Sequence, residues 1–197
     1  MVAFEREQLA STAWKNGGGR TREILRLPAG STIDSFDWRA SIADMTASGP
    51  FSTFVGFDRV IVLLSGAGAR LQSSDGAIDH RLDEPLTPYS FAGESAIDAS
   101  LIAGASTDFN VMTRRAATRA DVQIVVADET LPGCSAGLLF AARGTWLVRS
   151  SGRASSSFSL AANAGLWWDG ESLTWRLEPT AADAALISVR VLRRPPY

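Results

Sequence analysis

Phe36-Asp37-Trp38-Arg39-Ala40-Ser41-Ile42-Ala43-Asp44-Met45 decides the fold class. Phe36, Trp38, Ala40 and Ile42 fall on one side of an extended chain, and Asp37, Arg39, Ser41 and Ala43 on the other. A period of two is the signature of a strand with one apolar face, since successive side chains point to opposite sides. The same short pattern recurs at 59–64, 97–103, 108–114, 122–127, 145–149, 157–160, 165–168, 173–177 and 186–192. Gly, Pro, Ser and Asp separate these segments, and none of the intervals holds a strong amphipathic helix. The pattern therefore predicts an all-β sandwich or barrel in place of an alternating α/β sheet. Weak helical patterns occur only at 5–13 and 181–185.

Turn chemistry sharpens the reading. Asp169-Gly170 lies between two aromatic-rich segments and predicts a hairpin there, because glycine accepts positive φ without steric cost. Asp75-Gly76 predicts a second turn, and Ser65-Gly66-Ala67-Gly68 a third reversal. The segment 113–121 turns rich in Arg and Ala without a strong apolar period, and a boundary is expected there. This gives a first lobe at 1–115 and a smaller second lobe at 116–197. Ser150 to Ser157 reads as a loop or strand edge. Arg193-Arg194-Pro195-Pro196-Tyr197 offers either a peptide-docking tail or a plain soluble terminus.

Composition excludes several functions. The chain has 197 residues, 46% of them hydrophobic, so it can bury a sizeable core. A net charge of -2 supplies no broad field for nucleic acid or an anionic membrane, so an anion site has to be local. The longest apolar run, Val60-Ile61-Val62-Leu63-Leu64, is far short of the roughly 20 residues of a spanning helix. Met1 to Arg6 lacks the pattern of a secretory signal, and a cytoplasmic protein is expected. A lone cysteine, Cys134, cannot form an intrachain disulfide or a thiolate cluster, and it reads as an inert small residue. A lone histidine, His80, cannot supply a His-rich metal shell; it falls in a polar, turn-like stretch and reads as solvated. No metal and no cofactor are expected.

Three segments carry candidate chemistry. Trp14-Lys15-Asn16-Gly17-Gly18-Gly19-Arg20-Thr21-Arg22 places the chain's only lysine beside three glycines. That pairing suits either an anion-binding nest with a compact ammonium or a flexible entry to the first strand. The glycines precede a strand-like segment, and no Gly-Lys-Ser/Thr follows them, which disfavours dinucleotide and Walker phosphate loops. In the opening strand, Arg39 and Ser41 share a face and can offer a guanidinium fork and a hydroxyl to a carboxylate. Arg39 can equally serve as a strut to Asp37 or Asp58, and Asp58-Arg59 reads as a barrel-end ion pair. Asp108-Phe109-Asn110-Val111-Met112 then puts a carboxylate, an amide and a thioether on one strand face. An inward polar face needs hydrogen-bond partners, supplied either by a ligand or by an internal network.

Together with Gly49-Pro50-Phe51-Ser52 and Asp58-Arg59, these segments resemble, in this order, the HutD/Ves family. The resemblance is dense over the first 115 or so residues and rests on strand patterning afterwards, including Leu166-Trp167-Trp168-Asp169-Gly170. It implies a bicupin: two cupin-like β-barrel or jelly-roll lobes, the second smaller, without the usual metal histidines. It also implies a link to bacterial histidine utilisation, with formylglutamate, formiminoglutamate or urocanate as candidate ligands.

The leading expectation is a binding protein, regulatory or accessory, for a small anionic or amide-bearing molecule. Its ligand residues would be Lys15, Asn16, Arg22, Arg39, Ser41, Phe51, Ser52, Asp108, Asn110 and Met112. The alternative is a metal-free cupin enzyme, an isomerase or hydrolase, with Lys15, Asp44 or Asp108 as acid–base groups. Six tryptophans and nine phenylalanines would also serve an interaction protein, and a homodimer would not conflict with ligand binding.

Overall fold

A computed structural model describes residues 1–152 and 155–194. Its strands are β1 (Val2–Glu5), β2 (Ser11–Ala13), β3 (Gly19–Leu27), β4 (Trp38–Met45), β5 (Gly49–Pro50), β6 (Phe57–Ser65), β7 (Ala69–Ser73), β8 (Asp79–Leu82) and β9 (Pro88–Ala92). They continue as β10 (Ile97–Leu101), β11 (Ser106–Arg114), β12 (Thr118–Val125), β13 (Glu129–Arg143), β14 (Trp146–Ser151), β15 (Ser156–Leu160), β16 (Ala164–Pro179) and β17 (Ala185–Arg193). The all-β expectation holds. One helical turn, a 3-10 turn at Arg6–Gln8, stands among the described residues where 5–13 suggested a helix, and 181–185 is a turn leading into β17. No helix among the described residues is long and apolar enough to cross a membrane. Of the carboxy-terminal Arg/Pro motif, residues 195–197 lie outside the described residues.

The chain divides into two compact units. One comprises Leu9–Arg119 with Arg194, and the other Met1–Gln8 with Ala120–Arg193. The first unit has a six-stranded sheet, β2-β3-β4-β11-β6-β9, and a four-stranded sheet, β5-β10-β7-β8. Met45, Ile61, Leu63 and Phe91 of the larger sheet cluster with Ala69, Leu71, Ile97 and Ala99 of the smaller one. These residues stand two apart along their strands, as burying one sheet face against another requires.

The reversal read at 65–68 is the corner that carries the chain from the larger sheet to the smaller. Its Gly68 has φ +80°, and a Cβ there would sit 1.8 Å from the Leu82 carbonyl oxygen. The Asp75-Gly76 turn closes β7 onto β8: the Ala77 N–H donates to Asp75 Oδ1 at 3.0 Å, and Gly76 takes φ +73°.

In the second unit the sheet runs β12-β17-β13-β16-β14-β15, with β1 added against β16. Its core gathers Trp146, Leu166, Trp168, Trp175, Leu177 and Leu186. The hairpin expected at Asp169-Gly170 does not form; residues 164–179 are one strand. Both halves pair with β13, Ala136 opposite Asp169 and Cys134 opposite Leu173, so four steps on β16 match two on β13. Gly170, at φ +103°, supplies the bulge. Two apolar segments around Asp-Gly thus share one neighbour in place of pairing with each other, a choice made by β13, far away in sequence.

Candidate functional site

The central strand of the larger sheet in the unit of residues 9–119 is β11, buried along most of its length. It pairs with β4 on one side and β6 on the other, and the register sets three rows. Met112 lies between Arg39 and Arg59, Asn110 between Ser41 and Ile61, and Asp108 between Ala43 and Leu63. Directly paired residues share a face, so Arg39, Ser41, Asp108, Asn110, Met112 and Arg59 project to the side of Ile61 and Leu63. That is the inner side, where the apolar cluster with the four-stranded sheet begins.

Arg59 organises this face. It is 8% exposed, with its guanidinium carbon 4.9 Å from the ring centre of Phe91, 5.2 Å from Phe51 and 5.9 Å from Phe54. Among the described residues its one hydrogen bond is long: Nη1 donates to the Ser52 carbonyl at 3.5 Å, while the buried Nε has no acceptor there. Burial lowers its pKa to about 10, Asp108 raising it and Arg39 lowering it further. Asp108, 4% exposed, is pushed up to about 7, by burial first; Arg59 lowers it and Asp44 raises it. Asn110 is 7% exposed, and its buried Oδ1 has no donor.

Arg39 is held in place. Its Nε donates to Glu23 Oε2 at 2.7 Å, and Nη1 stands 4.0 Å from Met112 Sδ. Glu23 of β3 is opposite Ser41, so the same face extends over a fourth strand. Neither strut partner expected for Arg39 is used, because Asp37 pairs with Arg114 and Asp58 with Arg115. The Asp58-Arg59 ion pair is absent for a simple reason: adjacent residues on a strand face opposite ways.

The other expected ligand residues divide. The Phe51 ring covers Arg59; Ser52 contributes its carbonyl, its side chain being exposed. Arg22 belongs to the opposite face, in register with Ile42, and donates to Asp44 Oδ2 at 2.5 Å. Asp44 also accepts from Thr107 Oγ1 at 2.9 Å, so this pair works as a strut. Lys15 is exposed and makes no hydrogen bond or ion pair among the described residues. Asn16 Oδ1 accepts from the Gly18 N–H at 3.0 Å, so it shapes the glycine loop itself. The structure thus brings Arg39, Ser41, Asp108, Asn110, Met112 and Phe51 to one place; Arg22 lies on the other face of the sheet, and Lys15 and Asn16 belong to the glycine-rich turn.

His80 is not in a solvated turn. It lies on β8 and stacks on Tyr89, ring centres 3.6 Å apart. Cys134 is buried, and its Sγ donates to the carbonyls of Ala136 and Val191. Arg59 and Glu23 were not picked out from the sequence as ligand residues. The available signal for Arg59 was a charge on the inward step of an otherwise apolar alternation, Phe57, Arg59, Ile61, Leu63. The convergent set of two guanidinium groups, an amide, a hydroxyl, a thioether and one carboxyl, Asp108, suits an anion seated on Arg59 and, with a single carboxylate, is a poor donor set for a hard divalent cation.

Comparison with known proteins places this geometry. Residues 6–187 match the model of the HutD family. The structure of a conserved protein of unknown function, PA5104 from Pseudomonas aeruginosa PAO1, is 31% identical, with a TM-score of 0.84 over 96% of this chain and 97% of that one. HutD from Pseudomonas fluorescens SBW25, solved in a formate condition, is 30% identical, with a TM-score of 0.83 over 98% and 99%. At 10% identity, an oxalate decarboxylase from Lactobacillus farciminis has a TM-score of 0.66 over 100% of this chain and 87% of its own, a likeness of fold alone. Such neighbours are cupin-fold proteins. The chain belongs to the HutD family.

Proposed function

We propose that this protein binds a small carboxylate-bearing molecule inside the unit of residues 9–119, in a regulatory or accessory role. The observation that carries the reading is Arg59: a buried guanidinium held under three phenylalanine rings, with an unpartnered Nε and, among the described residues, no carboxylate bonded to it. Burying a charge without a directly bonded counter-ion costs several kcal/mol, and ring faces return only about 2 kcal/mol. A carboxylate seated on Arg59 would offset that cost through short, charge-assisted hydrogen bonds. Arg39, already neutralised by Glu23, stands on the same face, where the Asn110 amide and Ser41 hydroxyl are placed to orient the rest of the ligand.

Formylglutamate, formiminoglutamate and urocanate all carry such a carboxylate, and the formyl and formimino compounds also offer an N–H for the Asn110 oxygen. Calorimetry and thermal shift with formate, glutarate, N-formylglutamate and urocanate test the proposal. Saturable binding that is lost in Arg59→Met supports it; no binding by the wild type, or unchanged binding by the variant, overturns it. At a ligand concentration 100 times Kd, mass action adds about 2.7 kcal/mol of stability, a shift well within measurement.

Asp108 favours a second reading. A buried carboxyl with a pKa of about 7 is suited to general acid–base work beside a bound acid. Turnover of any of these compounds that is abolished in Asp108→Asn, with binding retained, would establish an enzyme.

A further inference from the structure

The inner face of β11 presents Asp108 and Asn110 in consecutive inward positions, and Arg59 on β6 is one inward step beyond them, opposite Met112. Asp108 and Arg59 influence each other's ionisation, yet no hydrogen bond joins them among the described residues. An anion bonded to Arg59 would share this inner face with a second acidic group two inward steps along, bordered by Ile61, Leu63 and Phe91. Once the ligand's charge is matched to Arg59, a second carboxylate in the same desolvated site is pushed toward its protonated form and can share that proton with the first.

We propose that Asp108 takes up one proton from solvent when a carboxylate seats on Arg59, and that the neutral acid then donates a hydrogen bond to it. The inference rests on the anion-binding reading above and assigns Asp108 as the residue that selects the ligand. A neutral acid favours an acceptor, so the site prefers carboxylates to amines and imidazoliums of similar size.

The charged and titratable groups around Asp108 are few. Arg59 faces it from β6, and from β4 comes Arg39, fixed by Glu23 of β3. Asp44, on the other face of β4, is tied to Arg22 and Thr107. From β9 come Phe91 and Tyr89, the latter stacked on His80 of β8. The facing residues of β7 and β10 are apolar. Arg59, with its pKa at about 10, keeps its charge near neutrality, and Arg39 and Glu23 are bonded to each other; Asp108 has no such partner among the described residues and is the carboxyl that can gain the proton.

The test is glutarate and N-formylglutamate binding as a function of pH, with proton uptake counted by calorimetry in two buffers of different ionisation enthalpy. Wild type is expected to take up close to one proton above neutrality, its affinity falling about tenfold per pH unit, the slope of a single linked proton. Asp108→Asn is expected to bind with a flat pH profile. Carboxylate binding by the wild type without proton uptake overturns this inference and leaves the binding reading standing; no binding at all overturns both. A pH slope kept in Asp108→Asn assigns the proton elsewhere and also overturns it. If that variant does not fold, infrared difference spectra of the wild type decide, with carboxyl-13C-labelled glutarate shifting the ligand's own bands. A new protonated-carboxyl band from the protein supports the proposal, and its absence sinks it.

Discussion

Arg59 and Phe91 face each other in register across β6 and β9, the guanidinium carbon 4.9 Å from the ring centre. A ring face attracts a cation but accepts no directed N–H bond as strong as an oxygen does, so stacking leaves the in-plane donors of the guanidinium available.

This arrangement predicts a separation between stability and binding. Arg59→Met removes a buried charge and fills similar volume among apolar neighbours, so the folded state should be unchanged or more stable by about 1 kcal/mol or more. Ligand-induced thermal shift should disappear at the same time. Arg59→Lys keeps a charge but loses the planar fork, and carboxylate affinity should fall about tenfold or more. Chemical denaturation and thermal shift on the same samples read both.

Asp108 predicts a pH dependence of stability in the absence of ligand. Its folded pKa, about 7, is above the roughly 4 of an unfolded aspartate, so the native state holds the proton more tightly. The stability this contributes is fully present below about pH 4 and is lost as pH rises toward 7, at up to about 1.4 kcal/mol per pH unit, levelling off above. Asp108→Asn should abolish that segment of the profile and gain relative to wild type most at pH 8. Urea denaturation across the range checks it.

Cys134 should be unreactive in the native protein. It is 4% exposed, with its thiol hydrogen-bonding to two carbonyls. Modification by a disulfide reagent should occur only on unfolding, and become fast in denaturant.

Two glycines with similar φ should respond differently to alanine. At Gly68, φ +80° coincides with a Cβ position 1.8 Å from a backbone oxygen, and Gly68→Ala should cost about 3 kcal/mol or more. At Gly17, φ +71°, a Cβ meets nothing within 4 Å, and Gly17→Ala should cost only about 1 kcal/mol of backbone strain. Thermal melts of the two variants compare them.

Much of the architecture was legible because a strand writes its two faces into alternate residues. The segment from Phe36 to Met45 predicted β4, and Asp108, Asn110 and Met112 were read correctly as one polar face of β11. The Asp169-Gly170 hairpin failed because local turn chemistry fixes only what glycine permits. Whether Gly170 makes a turn or a bulge depended on β13. Lys15, conspicuous in the sequence for its rarity, stands in an exposed turn, and Arg22 faces the other way.

By itself the sequence determined the class of fold, the family likeness and the polar faces of β4 and β11, since each is a property of residues close together in the chain. Tertiary structure decided which of those faces meet. Pairing β11 with β6 brought Arg59 beside Met112 and folded three phenylalanine rings around it. Register between distant strands is set by the whole buried core, so no local pattern carries it.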